Sequence, residues 1–127
     1  MVRGGVLLRA QGAAHFIPAS VAVAVAPRPI VAPVPGAPEG LAGVAFCEGA
    51  VVPVLSIGPA RSSMVLCAAG GELVGVVGAE SVETVVVEEA GEAPAFVERG
   101  SVRYALLDVP AMCEALQSEM SRGPWSG

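Results

Sequence analysis

Apolar positions in this chain fall in short runs broken by glycine, proline or small polar pairs, and most runs are β-branched, which predicts strands. Val6 to Ala10 reads as a first strand, turning at Gln11-Gly12-Ala13. From Phe16 a second strand is predicted, in which Val21, Val23 and Val25 alternate with Ala22 and Ala24. Because both its faces are apolar, it is expected to be covered on both sides. Five prolines between Pro27 and Pro38 then fix a stiff, extended connection, with Ile30, Val31 and Val34 packing inward. The stretch Gly43 to Ile57 predicts two strands, Val44 to Cys47 and Ala50 to Ile57, joined tightly at Glu48-Gly49. Pro53 cannot donate to a ladder, so its strand is expected at an edge or bent.

The second half repeats the pattern. Met64 to Ala68 and Leu73 to Val77 flank a Gly70-Gly71 turn, with Gly75 and Gly78 marking a bulge or a close backbone approach. Val82 to Val87 is a further strand, EEAGEAP a solvated loop, and Phe96-Val97 pairs with Val102 to Leu107 around Arg99-Gly100-Ser101. Asp108 is placed to cap a helix whose first turn tolerates Pro110, with Met112, Leu116 and Met120 on one face and Cys113 beside it. Ser121 to Gly127, with Trp125, reads as a frayed tail. The expectation is an all-β body closed by one short helix.

Composition narrows what such a body can do. The chain is 54% apolar, mainly Ala and Val, so the core is thin and a large enzyme-like cavity is not expected. It has no Lys, and seven Arg face twelve Asp and Glu for a net charge of -5, which disfavours nucleic acid and anionic membranes as partners. The uncharged run Ala10 to Pro27 is too polar and proline-broken to span a bilayer, and the N-terminal apolar segment is too short for a secretory signal. Cys47, Cys67 and Cys113 lack metal-site spacing and read as small hydrophobes in a reducing cytosol. His15 is the single histidine and reads as a strand-edge residue, and Asp108 reads as a cap rather than a catalytic carboxylate. Neither a cofactor nor a metal is called for, and a hydrolase using Cys47 or Cys67 is the weakest reading.

Four segments in order resemble the CheW-like coupling-protein family of chemotaxis-type signalling: VLLRAQGAAHFIPASV, PIVAPVPGAPEGLAGVAFCEGAVVPVLSI, MVLCAAGGELVGVVGAESVETV and RYALLDVPAMC. The resemblance implies a single domain over residues 1–120, with two five-stranded β-barrel lobes at 13–60 and 61–109 around a shared apolar seam and a closing helix at 109–120. It implies a cytoplasmic, non-enzymatic adaptor linking the cytoplasmic region of a methyl-accepting chemoreceptor to the regulatory domain of a CheA-type histidine kinase. The receptor's helical tip would dock in a groove drawn from Leu8, Val21, Val23, Val25, Val76 and Val82. Glu48 and Gly49 fall on the family's asparagine-leucine-arginine-glycine motif, where this chain reads Phe46, Cys47, Glu48, Gly49, a charge reversal at a receptor-facing position. The short links after Ile57 and after Val87 predict that one or two of the family's strands are missing. A small-molecule-binding β-barrel is the reading from another class, opposed by the shortage of convergent polar groups.

Overall fold

The computed structural model describes residues 2–47, 49–88 and 96–122. Glu48, most of the acidic EEAGEAP segment and the Trp125 tail, for which a turn contact, a loop and fraying were expected, lie outside the described residues. Ten strands precede one helix: β1 (Val2–Ala10), β2 (Ala13–Pro18), β3 (Ala22–Pro27), β4 (Leu41–Cys47), β5 (Ala50–Ser56), β6 (Ala60–Ala69), β7 (Glu72–Gly78), β8 (Ser81–Glu88), β9 (Phe96–Arg99), β10 (Val102–Leu106) and α1 (Val109–Arg122). They form two five-stranded sheets, ordered β8-β1-β2-β10-β9 and β3-β6-β7-β5-β4. The all-β class with a C-terminal helix therefore holds, and the short links have cost neither sheet a strand.

Contacts draw the two ends of each sheet toward one another without a ladder between the end strands. In the first, Arg99 of β9 reaches Glu83 of β8 at 3.3 Å, joining the two ends of the strand order. In the second, the proline-rich connection leaves β3 and exchanges two backbone hydrogen bonds with β4 between Ala32 and Val44, at 2.8 and 2.9 Å. The lobes are not the successive halves 13–60 and 61–109. Residues 22–78 form the second barrel alone, whereas the first draws β1 and β2 from one end of the chain and β8, β9 and β10 from the other. The reason lies at Pro18, where the predicted long strand ends: Ala19 to Val21 turn, and β3 restarts in the other sheet.

Strand alternation divides the apolar residues among three clusters. Leu7, Phe16, Val85, Val97 and Tyr104 fill the first barrel. Ala45, Val52, Val54, Met64, Leu66 and Val77 fill the second. The residues between them in sequence, Val6, Leu8, Ile17, Leu55, Val65, Cys67, Val74 and Val76 among them, point outward from each barrel and meet in a seam that α1 covers with Met112, Cys113 and Leu116. Two-sided burial thus belongs to the apolar stretches Val6 to Leu8 of β1, Met64 to Cys67 of β6 and Val74 to Val77 of β7. It does not belong to β3, where Val23 is 59% and Val25 39% exposed. That strand is an end strand paired only with β6, and among the described residues none covers these two valines.

Local signals account for the remaining joints. Cys47 pairs with Ala50 across a two-residue turn in which Gly49 takes a φ of 76°. Pro53 lies on β5, between β4 and β7, but pairing with β7 begins only at Val54, so the proline occupies the half of the strand that has a single neighbour. His15 is not at an edge, because β2 runs between β1 and β10. Asp108 caps α1, its Oδ1 accepting from the Ala111 amide at 3.0 Å. Ile30, expected inside, is 89% exposed; the connection is anchored by Val31 and Val34 instead. Gly78 ends β7 against Gly58, with a φ of 112°, where the chain entering β6 crosses it.

Candidate partner-binding surface

The residues expected to line a seam groove separate into a floor and a rim. Leu8 and Val76 are fully buried in the seam cluster, and Val21 and Val82 pack against its margin. Val23 and Val25 continue outward along β3. Val25 sits opposite Val65, a seam residue, so it projects from the seam side of the second barrel. Between Ala22 and Ala24 the register slips by one residue, which makes Val23 the extra residue of a bulge and explains its exposure. Strand β8 behaves in the same way: Val82 faces Leu8 in the seam, and four residues on, with the same side-chain direction, Val86 is exposed. Two edge strands, one from each barrel, therefore leave the common core carrying uncovered valines. Val86 was missed by sequence reading, although period-two spacing from Val82 marks it.

A second apolar surface lies on the β4–β5 hairpin. Val44 pairs with Pro53 and Phe46 with Val51, and alternation puts all four side chains on the outer face of the second barrel. Phe46 is 74% exposed. The same face continues into a groove of about 320 Å³ between the sheet and α1, with Val44, Pro53, Leu55 and Val74 as floor and Cys113 and Leu116 as wall. Gly49, at the hairpin tip, is exposed and touches neither the seam nor the groove lining.

A polar cleft of about 620 Å³ lies at the other end of β5, beside Gln11, Glu39, Ser56, Arg61 and Glu119. Two of its donor groups are engaged by the chain itself. Arg61 Nη1 donates to the Gly58 and Ala60 carbonyls at 2.8 and 2.9 Å, and the Ser56 hydroxyl donates to Gly58 O at 2.9 Å. Among the described residues no group of three His, Cys, Asp or Glu is arranged to hold a metal ion, and no helix is long and apolar enough to cross a membrane.

The three cysteines are free thiols. Cys67 is fully buried in the seam, and that burial, with a smaller push from Cys113, holds its thiol up to about 12. Cys113 is raised as well, by burial first and then by the Glu72 carboxylate. A neutral, enclosed Cys67 is a poor nucleophile. Between pH 9 and 12 the unfolded chain releases a proton that the native Cys67 retains, so this group's contribution is complete below pH 9 and is lost as pH rises, at up to about 1.4 kcal/mol per pH unit. Urea unfolding at pH 8 and pH 10 is expected to show a larger alkaline loss for the wild type than for Cys67→Val. Equal losses would exclude the thiol as the cause.

No protein-family model matches the sequence, and no curated protein matches it. Among solved structures, the chain is similar to the scaffolding protein TtCheW from Thermoanaerobacter tengcongensis, with a TM-score of 0.73 and 13% identity over 88% of each chain. At that identity the likeness is one of fold: two linked five-stranded barrels with a closing helix.

Proposed function

We propose that this protein is a non-enzymatic adaptor that couples the cytoplasmic region of a methyl-accepting-type chemoreceptor to the regulatory domain of a CheA-type histidine kinase. The observation that carries the reading is the seam's open margin, where Val23 and Val25 on β3 and Val86 on β8 stand uncovered beside a core that both barrels share. The fold of a CheW scaffolding protein supports it. A receptor helix laid along that margin buries an apolar stripe without needing backbone partners from the adaptor. Leu8, Val21, Val76 and Val82 serve as the floor beneath it, and Glu48, beside Gly49, sets selectivity through charge. The work is done in the cytoplasm, where the receptor's signalling end and the kinase are found.

Binding of the purified protein to the cytoplasmic fragment of a chemoreceptor from the same genome tests the proposal. Val25→Asp, on an exposed position, is expected to weaken capture at least about tenfold while leaving the circular dichroism spectrum unchanged. Glu48→Arg is expected to alter which receptors are captured. Receptor binding that is absent, or indifferent to Val25→Asp, would refute the assignment.

A further inference from the structure

The closing helix is held down by one short stripe. Val109, Met112, Cys113 and Leu116 pack on the seam, while Ala111, Glu114, Ala115 and Ser118 are exposed. Of the strands, β6 is the one α1 contacts most. Cys67 stands on β6, fully buried in the seam, and pairs with Val74 of β7. Val74 lines the groove whose wall includes Cys113, and so does Ala69, two residues along β6 from Cys67 with the same side-chain direction. Cys113 therefore sits over the patch of sheet to which Cys67 belongs, in one apolar cluster. The nearness of the two sulfurs is also felt electrostatically, since Cys113 adds to the burial that raises the Cys67 thiol. Cys47 stands apart from this pair and packs against the core of the second barrel.

While α1 is docked, burial keeps both thiols protonated and unreactive. A helix anchored by four side chains lifts at less cost than either sheet opens, and lifting it frees Cys113 and removes one wall from around Cys67. Reactivity is thereby tied to the position of α1. We infer that Cys67 and Cys113 are a redox pair, which a low-molecular-weight disulfide converts to a reversible bond pinning α1 to β6. The Cys113 thiolate, nearer the surface, attacks the reagent, forming a mixed disulfide and releasing one thiolate. The Cys67 thiolate then attacks the Cys113 sulfur and expels the second. Two protons leave the protein thiols and two electrons pass to the reagent, which ends as two thiols. Cys67 gives up no more than a long hydrogen bond, 3.8 Å to Val65 O. In a reducing compartment such a bond is transient, made under oxidative load and removed afterwards.

The test incubates the purified full chain with glutathione disulfide at pH 8. Trypsin cuts after Arg61, Arg99 and Arg103, which places the three cysteines on separate peptides. Mass spectrometry without reductant is expected to find Cys67 joined to Cys113, with the intact chain lighter by two hydrogens and carrying no glutathione. Because the bond closes the long loop from residue 67 to residue 113, the melting temperature is expected to rise by at least about 5 °C, and dithiothreitol to reverse the rise. Cys47→Ser keeps both results, and Cys113→Ser loses both. Linkage through Cys47, glutathione retained on Cys113, or no linked peptide overturns the inference, and so does a linked protein that melts no higher. Receptor capture plays no part in these measurements, so this inference and the coupling role fail separately.

Discussion

Valine in place of Gly78 is expected to destabilise the protein by at least about 4 kcal/mol, lowering the melting temperature by roughly 15 °C or more. Two causes act together. The φ of 112° belongs to a region that β-branched residues essentially never enter. A Cβ built there also meets the backbone N and O of Gly58, and a backbone clash cannot be relieved by rotating a side chain. The crossing cannot open freely, because Ile57 N donates to Val77 O at 2.9 Å immediately beside it. Gly12→Ala is the matched control: its φ is 80° but nothing lies within 4 Å of the added carbon, so the expected loss is about 1 kcal/mol. Thermal melts of the two variants separate strain from collision, and equal losses would mean that the crossing is looser than its geometry states.

The second large effect is expected at Phe16. It is fully buried in the first barrel with Leu7, Val85, Val97 and Tyr104, so one residue touches material from β1, β8, β9 and β10. Apart from Tyr104, the other residues of that core, Leu7, Val85 and Val97, are too small to fill the space. Phe16→Ala is therefore expected to cost about 3–5 kcal/mol, much of the stability of a domain this size. Phe46→Ala deletes the same side chain from a surface position and is expected to change stability by less than about 0.5 kcal/mol. Urea titrations of both variants measure the contrast. A stable Phe16→Ala protein would show that the first barrel is not packed around that ring.

The same pair shows what the sequence could and could not convey. Strands, turns and the closing helix were legible because each depends on neighbours in the chain: Glu48-Gly49 between apolar runs, Gly70-Gly71, and Asp108 before Pro110. Strand patterning carried the all-β class, and the resemblance in motif order the division into two five-stranded lobes. Allocation of strands to lobes was not legible, because the decisive event, the change of sheet at Pro18, leaves the apolar alternation through Val25 uninterrupted. Nor could period two alone tell the covered strands from the bare ones. The runs Val21 to Val25 and Met64 to Cys67 are equally apolar, yet β6 has sheet neighbours on both sides and β3 on one. Of the residues expected to line a partner site, Leu8 and Val76 are buried in the seam and Val23 and Val25 are exposed on β3. Phe46, the most exposed aromatic among the described residues, was visible only as a departure from a family motif.

The interleaved order of the strands has a consequence for biosynthesis. Every strand of the second barrel has left the ribosome once the tunnel has cleared residue 78, and its longest connection spans only the proline-stiffened segment between β3 and β4. The first barrel cannot assemble then: β1 must wait for β8, whose Glu88 pairs with Val2, and β2 must wait for β10. Until that moment β1 and β2 have only each other as strand partners, while their seam-facing residues Val6, Leu8 and Ile17 have the finished barrel to pack against. Translation thus delivers a completed template first, on which the split lobe condenses.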